Sequence, residues 1–181
     1  SAGSFVAGVL GTHTDAELQQ LLLADNALEL STRPVGTRMK IEDVREAIDR
    51  LVPDLTFQEA FERTGRKINI SVAPSEVHQT SRLLNAITSP NVYIREAVLA
   101  SCAIPGVFPP VMLAAKDAHG ERKPYLPARR WVDGSVTDDL PAKRLTRLYG
   151  VNHFITSMIN PVVLWSVRDP DWDDSLLWRF F

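Results

Sequence analysis

Two short strings hold the residues whose types and order fit acyl transfer: "SAGS" at Ser1–Ser4 and "RRWVDGSVTDDLP" around Asp133. A Ser-x-Gly followed by small and apolar residues is the second half of the G-x-S-x-G nucleophile elbow. There the serine sits on a sharp strand-to-helix turn and small neighbours let the backbone bend. The first glycine of that motif and the strand before it do not precede Ser1 in this sequence. Asp133-Gly134 follows an apolar strand end, which is either a plain turn or a carboxylate projecting into the crevice where α/β folds place their sites. A serine hydroxyl is a poor nucleophile at neutral pH, and a carboxylate held close to it can serve as the base.

Other reactive side chains have ordinary structural readings. Cys102 lies in the apolar run "AVLASCAIPG" with no basic neighbour to stabilise a thiolate, which reads as a small core residue. Of the four histidines, His13 and His119 read as loop residues, and His153 as a structural histidine beside a buried strand. The order Ser1, Asp133, His153 formally satisfies a Ser–Asp–His triad, so that alternative stays open. An N-terminal nucleophile using its own α-amine is a further alternative; it usually sits on stacked antiparallel sheets, whereas the first forty residues read as helices. Arg129 and Arg130 are suited to an acidic head group or to a solvated strand edge. Asp and Glu are scattered without metal-ligand spacing, no calcium loop is present, and no cofactor or metal is expected.

These residues need elements to position them. Residues 1–11 are small and apolar, suited to a closely packed helix. Thr14-Asp15-Ala16-Glu17 and Thr56-Phe57-Gln58-Glu59 both read as capping boxes that start helices. The first of these helices runs through Leu18, Leu21, Leu22 and Ala24, and "RTG" ends the second. "STRPVGTRMK" reads as a loop, and "IEDVREAIDRLVPD" as an amphipathic helix with Ile41, Val44, Ile48 and Leu51 on one face. "KINISVAP" alternates as a strand and "SRLLNAIT" reads as another. "SPNVYIREAVLASCAIPG" reads as a helix capped by Asn91 and stopped by Pro105-Gly106. "VFPPVML" and "RRWVDG" contain short strands around a polar loop near "KDAHGERKPY". A helix over 141–149 follows, and "NHFITSMIN" reads as a buried parallel strand. Helices alternating with strands, without internal repeats, point to an α/β layer architecture.

Composition narrows the classes. The length of 181 residues suits one domain with a proper core. A formal net charge of −2 supplies no basic excess for nucleic acid. A single cysteine excludes an internal disulfide and a thiolate zinc site, and fits a reducing compartment. No stretch is long and apolar enough to span a bilayer, and no signal-peptide pattern opens the sequence. The tail, residues 162–181, is aromatic, with Trp165, Trp172, Trp178, Phe180 and Phe181. Its reading is a packed terminal segment or a lipid-interface element.

The strings "REAVLASCAIPGVFPPV", "WVDGSVTDDLP" and "GVNHFITSMINP", in that order behind "SAGS", resemble the patatin-like lipid acyl hydrolases. The resemblance is closest to the branch of triacylglycerol lipases from yeast lipid droplets, plant oil bodies and bacteria. It covers Ser1 to about Pro161, and implies a domain over 1–161 followed by the segment 162–181. The implied fold is a three-layer α/β/α arrangement with a mainly parallel central sheet, incomplete upstream. The resemblance implies Ser1 as nucleophile and Asp133 as the acid of a Ser–Asp dyad, with Gly134 giving the turn after it and Asp138, Asp139 and Pro141 structural. The partner it implies is a lipid ester, triacylglycerol before phospholipid, with peripheral contact to a membrane or lipid droplet. The expected location is intracellular, in the cytoplasm or at such a surface. The family's oxyanion hole comes from a glycine-rich loop upstream of the nucleophile, and one lost oxyanion donor costs on the order of a hundredfold in rate. The expectation is therefore a piece of a larger enzyme, crippled until that loop is supplied. A non-catalytic lipid-binding module is the alternative from another class.

Overall fold

Small residues let the first helix, α1 (Ala2–Thr12), sit unusually close to its neighbours. A Cβ on Gly8 would stand 2.9 Å from Val98 Cγ2, and one on Gly11 would stand 2.1 Å from Ile68 Cγ1. The structure, a computed structural model, describes residues 2–23, 40–76, 79–134 and 141–157. The described residues divide into two compact units, one up to Pro141 and one from Ala142 onward.

In the first unit, both capping boxes form as the sequence predicts. Thr14 Oγ accepts from Glu17 N–H at 3.4 Å, Glu17 accepts Thr14 N–H at 2.8 Å, and α2 (Asp15–Leu23) follows. Ala24 and residues 31–39 of the predicted loop lie outside the described residues. Helix α3 (Ile41–Leu51) turns Ile48 into the core, with Ile41 and Val44 packed beside it. Helix α4 (Phe57–Thr64) begins at Thr56, whose Oγ accepts Glu59 N–H at 3.2 Å. It ends at Gly65 with φ 70°, a conformation that favours glycine.

Strand β1 (Ile70–Pro74) is central in a three-stranded sheet of order β2-β1-β5, with β2 (Arg82–Leu84) and β5 (Trp131–Asp133) on its flanks. Successive residues Val72 and Ala73 are both buried, so both faces of β1 are covered. The α/β character holds, but the described strands correct the expected mainly parallel sheet: β1 pairs antiparallel with both neighbours. For β2 the reason is length. The link 75–81 is too short for a parallel crossover, which needs about a dozen residues or more. The "SRLLNAIT" strand is also shorter than expected, because Asn85 turns the chain by accepting the N–H groups of Ile87 and Thr88 at 2.9 and 2.8 Å.

Helix α5 (Ile94–Cys102) carries the core. Ile94 and Ala97–Ser101 are all buried, against α1, α3, β1 and β5. Its N-cap is Tyr93, not Asn91, and no side chain caps it. Val92 and Tyr93 are extended, and the segment pairs outward instead. Tyr93 N–H donates to Ala114 O at 3.0 Å, and Lys116 N–H to Asn91 O at 2.9 Å. Ile94 N–H donates to Leu55 O at 2.9 Å, so tertiary bonds replace the cap.

The predicted polar loop is a hairpin, β3 (Ala114–Lys116) with β4 (Arg122–Pro124). Asp117 shapes its turn by accepting the N–H groups of His119 and Glu121, each at 2.9 Å, and by pairing with Lys123. Buried Glu96 then ties the hairpin to the helices, accepting from Arg122 at 3.0 Å and Arg45 at 3.4 Å. The Arg122 guanidinium also lies 3.9 Å from the Tyr93 ring centroid.

In the second unit, α6 (Ala142–Tyr149) ends at Gly150 with φ 67°. The expected buried strand is corrected over residues 151–157. They have no regular structure, and Ile155 is fully exposed. An apolar run becomes a strand only where neighbouring backbone takes its N–H and C=O groups; here the Val151 carbonyl accepts from the Thr146 hydroxyl at 2.8 Å instead.

Candidate active site

Asp133 is the last residue of β5 and is 5 % exposed. Its N–H donates to Ala103 O at 3.0 Å, which fixes the end of β5 to the C-terminal end of α5. In register it stands opposite Val72 of the central strand. By strand alternation it shares a face with Trp131, which is fully buried.

Gly134 is where the backbone passes closest to that strand. A Cβ there would lie 2.7 Å from Ser71 C, 2.7 Å from Val72 N and 2.9 Å from Val72 C, all backbone atoms. The sequence suggested a sharp turn as the reason for this glycine. Gly134 is not one of the positive-φ glycines, and the residues that follow it lie outside the described ones; the lack of room is a second reason for glycine here.

Ser4, in the first turn of α1, is buried, and its Oγ lies 4.0 Å from Cys102 Sγ. Cys102 is the last residue of α5, next to the Ala103 carbonyl that holds Asp133. The C-terminal end of α5 is thus shared by the start of α1 and the end of β5. The small residues of "LASCA" are what allow three elements to meet there. Cys102 is half-buried rather than a full core residue.

Ser1, Asp138, Asp139 and His78 lie outside the described residues. His13 sits at the bend after α1 with Nδ1 2.8 Å from Val9 O, and His119 is exposed on the β3–β4 turn. His153, in the second unit, is exposed, with Nδ1 2.8 Å from Asn152 Oδ1. Among the described residues no three His, Cys, Asp or Glu side chains could jointly hold a metal ion.

Sequence reasoning missed Arg66. It closes the end of α1 from outside, donating to Leu10 O and His13 O at 2.6 Å each and pairing with Asp15. A cation over the last carbonyls of a helix satisfies both their lone pairs and the helix dipole. Only its spacing from α1 in three dimensions shows this.

The sequence model of the patatin-like phospholipase family matches residues 1–146. Among curated proteins, the chain is 39% identical over 174 residues to the patatin-like phospholipase domain-containing protein AN0408 of Emericella nidulans. The match takes in 89% of this chain and 23% of that protein. Over 175 residues it is 39% identical to CNBE2340 of Cryptococcus neoformans, another patatin-like phospholipase domain-containing protein, covering 89% and 20%. Over 186 residues it is 39% identical to the triacylglycerol lipase SDP1L of Arabidopsis thaliana, covering 89% and 23%. The chain spans about a quarter or less of the length of these relatives. With the family model covering most of its length, the chain belongs to the patatin-like phospholipase family.

Proposed function

We propose that the chain carries the catalytic serine and aspartate of a lipid acyl hydrolase, with Ser1 as nucleophile and Asp133 as base. The observation that carries this reading is the shared end of α5. Asp133 is held there by the Ala103 carbonyl, and Ser4, three residues after Ser1, touches Cys102 beside it. Two further features support it. The first N–H groups of a helix have no partners within it and favour developing negative charge, and α1 starts directly after Ser1. Burial also keeps bulk water from competing for the Asp133 carboxylate.

In the proposed reaction Asp133 takes the Ser1 hydroxyl proton as Oγ attacks the ester carbonyl. The tetrahedral intermediate collapses, and the departing alkoxide takes that proton from Asp133. Water then attacks the acyl-serine while Asp133 accepts its proton, and returns that proton to the Ser1 oxygen as the fatty acid leaves. Triacylglycerol is the substrate favoured by the resemblance and by the name of the Arabidopsis relative. Phospholipid is the other, after the fungal relatives' names.

The test is hydrolysis of long-chain triacylglycerol and of phosphatidylcholine by this chain joined behind an upstream strand and glycine-rich loop. Ser1→Ala and Asp133→Asn should each lower the rate about a thousandfold or more, and His153→Ala should change it little. Near-complete loss in His153→Ala with its unfolding midpoint unchanged would replace the dyad with a triad.

A further inference from the structure

Directly beyond Ala103 the chain forms an exposed apolar rim. Residues 104–112, "IPGVFPPVM", contain no charged side chain. Val107 N–H donates to Ile104 O at 3.0 Å, and Gly106 has φ 81°, which with Pro105 makes a type II turn. That turn holds Ile104 and Val107 outward, Val107 being 54% exposed. Farther along, Val111 and Trp131 exchange both backbone bonds at 2.8 Å. Antiparallel pairing about them sets Met112 beside Arg130, both exposed.

The second strip of the rim is residues 125–130, "YLPARR", fastened by Tyr125 N–H to Leu113 O at 2.8 Å. Leu126 there is the only non-glycine residue with positive φ among the described residues, at 51°, and is 39% exposed. Holding a leucine in that conformation costs about 1 kcal/mol, yet its side chain stays partly in solvent. Strain of this kind gathers at functional surfaces. The only charged residues of the strip are Arg129 and Arg130, and neither is paired with a carboxylate among the described residues.

We propose that this rim docks onto an anionic phospholipid surface, Ile104, Val107, Met112 and Leu126 entering the interface while Arg129 and Arg130 meet the phosphates. The occupant follows from charge: apolar side chains and two cations without a carboxylate partner among the described residues, with no carboxylate in either strip, suit an anionic interface; Arg130 also donates to Pro127 O at 3.1 Å and Arg129 O at 3.3 Å, which holds its guanidinium at the strip. The inference rests on the lipid-hydrolase reading in one respect, that the rim adjoins Asp133 and would bring an ester-bearing surface to it.

The test is cosedimentation of the chain with vesicles of phosphatidylcholine alone and with phosphatidylserine added. Binding should rise with phosphatidylserine and fall with salt. Arg129→Glu and Arg130→Glu should each weaken binding to the anionic vesicles about fivefold or more. Ile104→Asp with Val107→Asp should weaken it about tenfold or more, and Val107→Trp should keep or strengthen it. Unfolding midpoints near that of the parent show that these substitutions leave the fold intact. Wild-type sedimentation of the double aspartate variant overturns the proposal, as does equal binding to both vesicle types, or loss only on deleting residues 162–181. Binding is read without turnover, so failed ester hydrolysis would overturn the dyad and leave the docking surface standing. Failed sedimentation would do the reverse.

Discussion

Replacing Gly134 by alanine adds one methyl group at the point where the chain leaving Asp133 crosses β1. That methyl would sit 2.7 Å from Ser71 C and Val72 N, against an ordinary contact of 3.4–4 Å. The neighbours are backbone of the central strand, so no side chain can rotate away. Either β1 or the end of β5 must move by about 0.7–1 Å. Overpacking of this kind costs about 2–3 kcal/mol or more, which lowers the melting temperature by about 5–10 °C in a chain of this size. The same shift displaces Asp133, and a 1 Å misplacement in an active site costs on the order of a hundredfold in rate. Gly120→Ala is the control. Gly120 has φ 84° with nothing within 4 Å of its added Cβ, so it suffers backbone strain alone, about 1 kcal/mol. Thermal unfolding followed by circular dichroism compares them. Gly134→Ala melting no lower than Gly120→Ala would show that close approach is not why glycine stands after the aspartate.

Thr56→Ala removes the acceptor for Glu59 N–H and should cost about 1 kcal/mol in a urea titration; an unchanged midpoint would mean the cap is not contributing. Desolvation works to raise the Glu59 pKa, but the hydrogen bonds from Lys116 and from Thr56 N–H outweigh it and hold it below its ordinary value of 4.5. A carboxylate lowered on folding stabilises above its unfolded pKa and loses that contribution as pH falls through the folded one. The stability gap between the parent and Glu59→Gln should accordingly be full at pH 7 and shrink below about pH 4.5. A gap independent of pH would contradict this. Arg122→Ala leaves buried Glu96 to Arg45 alone and should cost about 1–2 kcal/mol, discounted for the exposure of Arg122. It should also hasten limited proteolysis within 118–121, and an unchanged cleavage rate would show that the hairpin is held by other contacts.

What the sequence made legible was local. Thr14 with Glu17, and Thr56 with Glu59, cap helices through partners three residues away, so the strings alone reveal them. Asn91 was misread because the groups it would have capped are taken by Leu55 and the β3 strand, contacts with no local signature. The β3–β4 hairpin had a usable signal: an Asp three residues before a Gly, in "DAHG", is a turn former, and Asp117 does shape that turn. Arg66 on the end of α1 and Arg122 on Glu96 act across long sequence separations, where pattern reading has no purchase. For Asp133, residue type and position after a strand favoured a turn over a site. The resemblance favoured the site, and the structure adds its burial and its tether to Ala103.

The most direct measurement is labelling with a serine-reactive fluorophosphonate, followed by peptide mass mapping. It would compare this chain, the form joined behind the upstream strand and glycine-rich loop, and Asp133→Asn in that longer form. Adduct on Ser1 in the longer form, lost in Asp133→Asn, is the result the dyad predicts. Adduct on a different serine, or labelling of Ser1 that Asp133→Asn leaves unchanged, would contradict it.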